Sequence, residues 1–187
     1  NPDMANLVRN NSRTPEVTLG DIRGQVGCTT VGVEKVQAIF DDYGSETVGA
    51  AVEEMLASTR TRVADRIREW DGTARVEGAL DGDEERADPL ELALAVSTEA
   101  GAESLTFDFT GSADQTPGPS NMPKHVAKSA CLDALVGTLD PTLPLDSGVA
   151  GACEFVLPEG SIVNPRRPAP VNNYSKGMCV VMHMALR

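Results

Sequence analysis

The sequence predicts an α+β fold, in which a long antiparallel helical hairpin precedes an antiparallel β-meander with further helices packed on it. Before residue 72, apolar residues recur at alternating steps of three and four, which is the period of an amphipathic helix. After residue 72 the period changes to two, as in half-buried strands, with turn residues between the alternating stretches. We therefore divide the chain into residues 1–72, an irregular segment and the hairpin, and residues 73–187, the α+β region.

The predicted hairpin follows a polar segment, residues 1–17, where Asn-Asn-Ser and Thr-Pro interrupt any period and indicate irregular structure. The apolar stripe of the first helix runs over Leu19–Phe40, and Gly44 is its C-terminal stop. Ser45 caps the second helix, whose stripe runs over Val48–Trp70. Because a tight Tyr-Gly-Ser turn joins the two helices, they should lie antiparallel.

The meander is predicted from three alternating stretches: residues 73–80, 90–98 and 103–110. An acidic run, Asp81–Glu85, connects the first two and is typical of a solvated turn. A calcium loop would instead need oxygen ligands at alternate positions and a later bidentate Glu, so no metal is predicted here. Later elements are also predicted, namely helices over Pro123–Leu139 and Ser175–Arg187 and a strand over Cys153–Leu157.

The strongest candidate for a functional site is the end of the third strand. Phe107 and Phe109 alternate with Asp108 and Thr110, which places apolar side chains on one face and polar ones on the other. The strand then breaks at Gly111 into a loop of Gly, Ser and Pro. Such a corner gathers backbone N–H groups, hydroxyls and a carboxylate, and small polar or anionic groups bind there readily.

Ligand-binding residues are predicted from this loop, and Asn121 stands where the next helix would begin. The predicted set is Thr110, Gly111, Ser112, Gln115 and Asn121. A second group, residues 172–175, is either a ligand-facing loop or the N-cap of the last helix, and its Asn and Ser residues favour the cap.

Asp108 and His125 are the candidate catalytic residues. Lys124 and His125 occupy the first turn of the third helix, where the helix dipole disfavours positive charge, and Asp108 or an anionic ligand would offset this. A histidine is suited to carry a proton near neutral pH, and His125 is predicted to do so. The alternative is that these side chains point to solvent.

Composition excludes several other classes of function. With 16 Lys and Arg against 28 Asp and Glu, the net charge of −12 argues against binding nucleic acid or an anionic membrane. The four cysteines are far apart, so a zinc site is not expected, and Cys28 and Cys131 are predicted to be buried thiols. Walker-type, dinucleotide and serine-elbow motifs are absent. No signal peptide or membrane span is predicted, so a cytoplasmic location is expected.

Six motif groups occur in a characteristic order along the chain: Arg13–Glu16 with Gly20–Gln25, Asp42–Gly44, Asp108–Ser112, Pro158–Ser161, Asn164–Pro165 and Pro168–Val171. Together they resemble one family, hydantoinase B/oxoprolinase, which includes the large subunits of acetone and acetophenone carboxylases. The resemblance runs through nearly all of the chain, which is therefore expected to be an internal piece of a longer subunit.

The resemblance implies an ATP-dependent enzyme. An actin-like partner subunit would phosphorylate an unreactive carbonyl or enolate oxygen, and the subunit similar to this chain would complete hydrolysis of a lactam or cyclic amide. The equivalent part of an acetone-type carboxylase is the alternative, and a non-catalytic scaffold that docks the ATP-using subunit is the third. ATP and a divalent metal are implied for the full enzyme, but neither is expected on this segment, which should be inactive alone. The substrate, the choice between hydrolysis and carboxylation, and the oligomeric state stay open.

Overall fold

The computed structural model describes residues 2–82 and 87–187. Within these residues the chain forms six α-helices and one four-stranded mixed sheet, which confirms the predicted α+β class. The chain divides after Glu53 into two compact units. The predicted domain division after residue 72 stays a prediction.

The first unit begins with a helix where irregular structure was predicted. Helix α1 spans Pro2–Asn11 and packs against helix α2, Pro15–Tyr43. The prediction is wrong because Pro at the first helical position and an acidic residue in the first turn favour a helix start despite the polar composition. The Asn11 side chain then donates to the Leu7 carbonyl at 2.8 Å and satisfies the helix end.

Helix α2 is long and mostly exposed. Within it Leu19 is buried, whereas most of the predicted apolar stripe lies on the surface. Gly44 ends the helix with φ +77, a conformation that favours glycine, and helix α3, Ser45–Ile67, begins immediately after it. The two predicted helices therefore exist, while their antiparallel arrangement stays a prediction.

The second unit is built on the sheet. Its strands are β1 Gly72–Leu80, β2 Leu90–Thr98, β3 Leu105–Asp108 and β4 Cys153–Val156, in the order β1-β2-β3-β4. The first three pair antiparallel, whereas β4 pairs parallel to β3 and makes the sheet mixed. The predicted acidic turn between β1 and β2 is described only at Asp81 and Gly82, and residues 83–86 of that prediction lie outside the described residues.

Three further helices belong to this unit: α4 Lys124–Leu139, α5 Ser147–Gly151 and α6 Tyr174–Ala185. Helices α4 and α6 pack on each other, and α6 also packs on β1 and β2. The two-residue period of β2 buries one face of the strand, formed by Leu90, Leu92 and Leu94. The rings of Phe107 and Phe155 stack beneath the helices, with centroids 5.3 Å apart.

Helix α5 fixes the second half of α3 to the sheet. Asp146 accepts hydrogen bonds from the Thr59 hydroxyl at 3.0 Å and from the Gly148 amide at 2.7 Å. Gly148 lies so close to α3 that a Cβ there would meet the Leu56 carbonyl oxygen at 2.5 Å. Since real side chains do not tolerate such a contact with backbone, glycine is required for this packing.

We expect Gly148→Ala to lower the free energy of unfolding by about 1–3 kcal/mol, because the added methyl overpacks the contact with α3. Gly137→Ala in α4 is the matched control, since a Cβ there meets nothing within 4 Å and alanine favours helix by up to about 1 kcal/mol. Thermal and denaturant unfolding of the complete subunit would measure both. Equal stability of the two variants would contradict the proposed packing.

Candidate functional site

Strand β3 ends with the predicted alternation of apolar and polar side chains. Phe107 and Phe109 are 2% and 0% exposed, Asp108 is half-buried and Thr110 is exposed. One carboxylate oxygen of Asp108 accepts a hydrogen bond from the Thr110 amide at 2.8 Å and closes the turn. The other oxygen has no hydrogen-bond partner among the described residues.

The loop continues through Gly111, whose φ of +100 is left-handed, to Ser112. The Ser112 hydroxyl donates to the Ala93 carbonyl at 3.2 Å and accepts from the Ala93 amide at 3.1 Å. The side chain thereby replaces a backbone partner for strand β2. Its geometry is that of a structural hydroxyl, and its predicted ligand role stays a prediction.

The Asn121 side chain holds the loop together through hydrogen bonds to its backbone. It is fully buried, accepts from the Thr116 amide at 2.9 Å, and donates to the carbonyls of Thr116, Gly118 and Pro170 at 2.8, 3.1 and 2.9 Å. It does not begin the next helix, because α4 starts three residues later, after Pro123. The carboxamide is fully used in holding the loop, so the geometry accounts for Asn121 without a ligand.

Gln115 joins the loop to a later segment. Its side-chain oxygen accepts a hydrogen bond from the Arg166 backbone amide at 2.7 Å, and its backbone amide donates to the Gly160 carbonyl at 2.8 Å. Two further backbone bonds, from Ile162 to Ala113 and from Met122 to Ile162, extend the contact. The motifs at residues 108–112, 158–161, 164–165 and 168–171, which are distant in sequence, therefore meet in one hydrogen-bonded network.

The two candidate catalytic residues are not joined in this structure. Lys124 and His125 are both exposed on the first turn of α4. Among the described residues, no hydrogen bond or ion pair links His125 to Asp108. Their catalytic roles stay predictions, to be tested in the complete enzyme.

A cavity of about 900 Å³ is lined by a later part of the same loop. Its walls include residues 117–120 of the loop, Asn173 and Lys176 at the start of α6, and Asp81 at the end of β1. None of the predicted site residues is among those that line it. The predicted residues and the cavity-lining residues 117–120 therefore lie in the same loop but are different residues, and the predicted site stays a prediction.

Two polar residues of the cavity lie outside the predicted site, although residues 172–175, which include Asn173, were considered as a ligand-facing loop. Ser120 is 8% exposed, and its hydroxyl has no hydrogen-bond partner among the described residues. Asn173 occupies the N-cap position of α6, but its side chain makes no capping hydrogen bond. The Asn and Ser residues at 172–175 were a usable signal, although they favoured a capping role that the Asn173 side chain does not fulfil.

The surface beside Gly111 is acidic. A concavity of about 450 Å³ is lined by Glu77, Glu91 and Gly111, and one of about 370 Å³ next to it by Asp88, Glu91 and Asp114. Residues 2–82 and 87–187 nevertheless contain no group of three or more His, Cys, Asp or Glu that could hold a metal ion.

Two cysteines, Cys131 and Cys153, are poorly suited to act as nucleophiles. Burial raises the pKa of Cys131 to about 12, with a smaller contribution from Cys153, and burial likewise raises the pKa of Cys153 to about 12. Both thiols are therefore protonated at neutral pH and unreactive. The prediction that Cys28 is buried is wrong, because its position on α2 is exposed. In the described part of the chain, no helix is both long and apolar enough to span a membrane.

Relatives of known sequence match most of this chain but are much longer. The B-type subunit assigned to a D-/L-hydantoinase of Pseudomonas sp. strain NS671 is 30% identical over 93% of this chain, which covers 31% of that protein. The 5-oxoprolinase 1 of Arabidopsis thaliana is 27% identical over 86% of this chain, which covers 13% of that protein. The chain thus spans about a third or less of these relatives.

Two solved structures share the fold. An ATP-dependent caprolactamase from Pseudomonas jessenii superposes with a TM-score of 0.85 at 22% identity, covering 99% of this chain and 32% of that one. A nucleotide-free acetone carboxylase gives a TM-score of 0.66 at 21% identity, covering 75% of this chain and 20% of that one. The sequence model described as hydantoinase B/oxoprolinase matches residues 1–187. The chain therefore belongs to the hydantoinase B/oxoprolinase family.

Proposed function

We propose that this chain is part of the B-type subunit of an ATP-dependent hydantoinase/oxoprolinase-type amidohydrolase. The observation that carries the proposal is the family match along all 187 residues. The relative assigned as a B-type hydantoinase subunit, which is also the more similar of the two relatives described above, supports a cyclic amide as substrate.

The proposed reaction begins in a partner subunit of the actin-like type, which uses ATP to phosphorylate the carbonyl oxygen of a cyclic amide. Phosphorylation converts a poor leaving oxygen into a good one, and the present subunit completes hydrolysis in a site protected from bulk water. A divalent metal is part of the proposal for the full enzyme. The described residues hold no suitable ligand group, so no step is assigned to a metal on this segment.

Within this proposal the corner after β3 contributes polar groups to the shared site. The free carboxylate oxygen of Asp108 and the exposed ring of His125 carry protons, and the Thr110 hydroxyl and the Gly111 backbone contact the substrate. Ser112, Gln115 and Asn121 set the shape of the loop through the hydrogen bonds described above, and their predicted contact with a ligand stays part of the proposal.

The scaffold function is the second candidate, and the surface of α2 favours it. Val33, Val36 and Phe40 are 58%, 52% and 40% exposed and border a shallow concavity of about 560 Å³ on one helix. A cluster of exposed apolar side chains is typical of a surface that binds protein. The proposed occupant is another part of the same assembly, the ATP-using subunit.

The complete assembly with ATP should hydrolyse a hydantoin or 5-oxoproline and should not consume acetone in the presence of bicarbonate. Product release in each reaction, measured with and without ATP, tests this directly. ATP- and bicarbonate-dependent loss of acetone without amide hydrolysis would assign the chain to the carboxylase alternative instead.

Asp108→Asn should lower kcat by about 100-fold, because it removes the carboxylate but keeps the oxygen that accepts from the Thr110 amide. His125→Gln should have a loss of similar size. His183→Gln on the exposed side of α6 is the control and should keep full activity. Size-exclusion chromatography must show an intact assembly for each variant. Normal turnover in both Asp108→Asn and His125→Gln would exclude the proposed catalytic roles.

Val36→Glu should weaken, at least about tenfold, the association with the ATP-using subunit, since it places a charge in the apolar surface of α2. Lys35→Glu, at an exposed polar position on the same helix, is the matched control. Co-elution of the two subunits at graded concentrations measures the effect, and circular dichroism checks that the helix is retained. Unchanged association of Val36→Glu would remove the support for a docking role.

A further inference from the structure

The first turn of α6 borders the 900 Å³ cavity. Asn173 and Lys176 line that cavity, and no acidic residue occupies the first turn. The Tyr174 and Lys176 amides donate to the Val171 and Asn173 carbonyls at 3.4 and 3.2 Å. The aligned peptide dipoles give the start of the helix a partial positive charge.

Ser120 provides an independent indication of a ligand at the same place. The residue lines the cavity and is 8% exposed, yet its hydroxyl has no partner among the described residues. Buried hydroxyls are normally hydrogen-bonded, so an unpaired one in a cavity wall is a donor without its acceptor. The position is rigid, because the neighbouring Pro119 carbonyl accepts from the Asn173 amide at 2.9 Å, and Asn121 is held by its own network.

The charged groups of the cavity define the ligand further. Lys176 is exposed and forms no ion pair with any described residue, so its ammonium group is free to contact an anion. Asp81 lines the cavity as well and disfavours additional negative charge. A ligand with one compact negative group therefore fits better than a polyphosphate.

We propose that this cavity binds a small oxyanion, a carboxylate or a phosphate group, through the Ser120 hydroxyl and the Lys176 ammonium group, beside the positive end of the α6 dipole. The proposal goes beyond the function proposed above and does not rest on it, because it concerns binding without ATP, partner or turnover. The whole chain carries a net charge of −12, so any anion that binds here must do so through these local groups rather than by general attraction.

The test titrates sodium acetate and inorganic phosphate separately into the full-length subunit, without ATP, by isothermal titration calorimetry. Saturable binding is expected for at least one of the two anions. Ser120→Ala should weaken it by about tenfold, as expected for the loss of one charge-assisted hydrogen bond. Lys176→Gln should weaken it to a similar extent and reduce its dependence on salt. Lys35→Gln, which removes an exposed lysine of α2, is the control and should leave the affinity unchanged.

The relative affinities identify the source of the anion. Stronger binding of acetate supports a carboxylate ligand, and stronger binding of phosphate supports a phosphorylated one, in which case Asp81→Asn should increase the affinity for phosphate further. The absence of saturable binding of either anion would overturn the proposal. The proposal would also be overturned if Lys176→Gln and Ser120→Ala both bound the anion with wild-type affinity. Lys176 is exposed, so its replacement does not threaten folding.

Discussion

The hydrogen bonds of the Asn121 carboxamide are the interaction on which the candidate site depends. Asn121 is completely buried, and its side chain bonds to the backbone of Thr116 and Gly118 within its own loop and to Pro170 of a distant segment. A loop of Gly, Ser and Pro has no repeating backbone partners, so its polar groups need such a side chain. Each buried group left unpaired would cost about 1–3 kcal/mol, which makes this residue difficult to replace.

The loop held in this way borders two concavities. Near Gly111, the walls carry Glu77 and Glu91. The larger cavity is lined by Asp81, by Lys176 at the start of α6 and by Ser120, whose hydroxyl is unpaired in the described part of the chain. A chain with a strong negative charge overall thus keeps one local region suited to an anion, and helix orientation rather than composition creates it.

Local patterns predicted the secondary structure well because they depend on neighbours in sequence. The alternation around Phe107 and Phe109 correctly predicted their burial, and Gly44 correctly marked a helix end. The prediction of irregular structure at the start of the chain was wrong, because Pro2 and Asp3 favour a helix start even in a polar segment. The exposure of Cys28 was also missed, since a helical period predicts which residues share a face but not whether anything covers that face.

The candidate site could be predicted only in part, because its geometry depends on the parallel pairing of β4 with β3. A parallel neighbour requires a long crossover, which here contains α4 and α5. Parallel strands end at the same edge of a sheet, so the turn after β4 lies beside the loop after β3. That is why Gly160 and Arg166 reach Gln115, and why the chain then returns past the loop to begin α6. No local pattern indicates which strand pairs with which, so the side chains that meet across this edge are visible only in the folded chain.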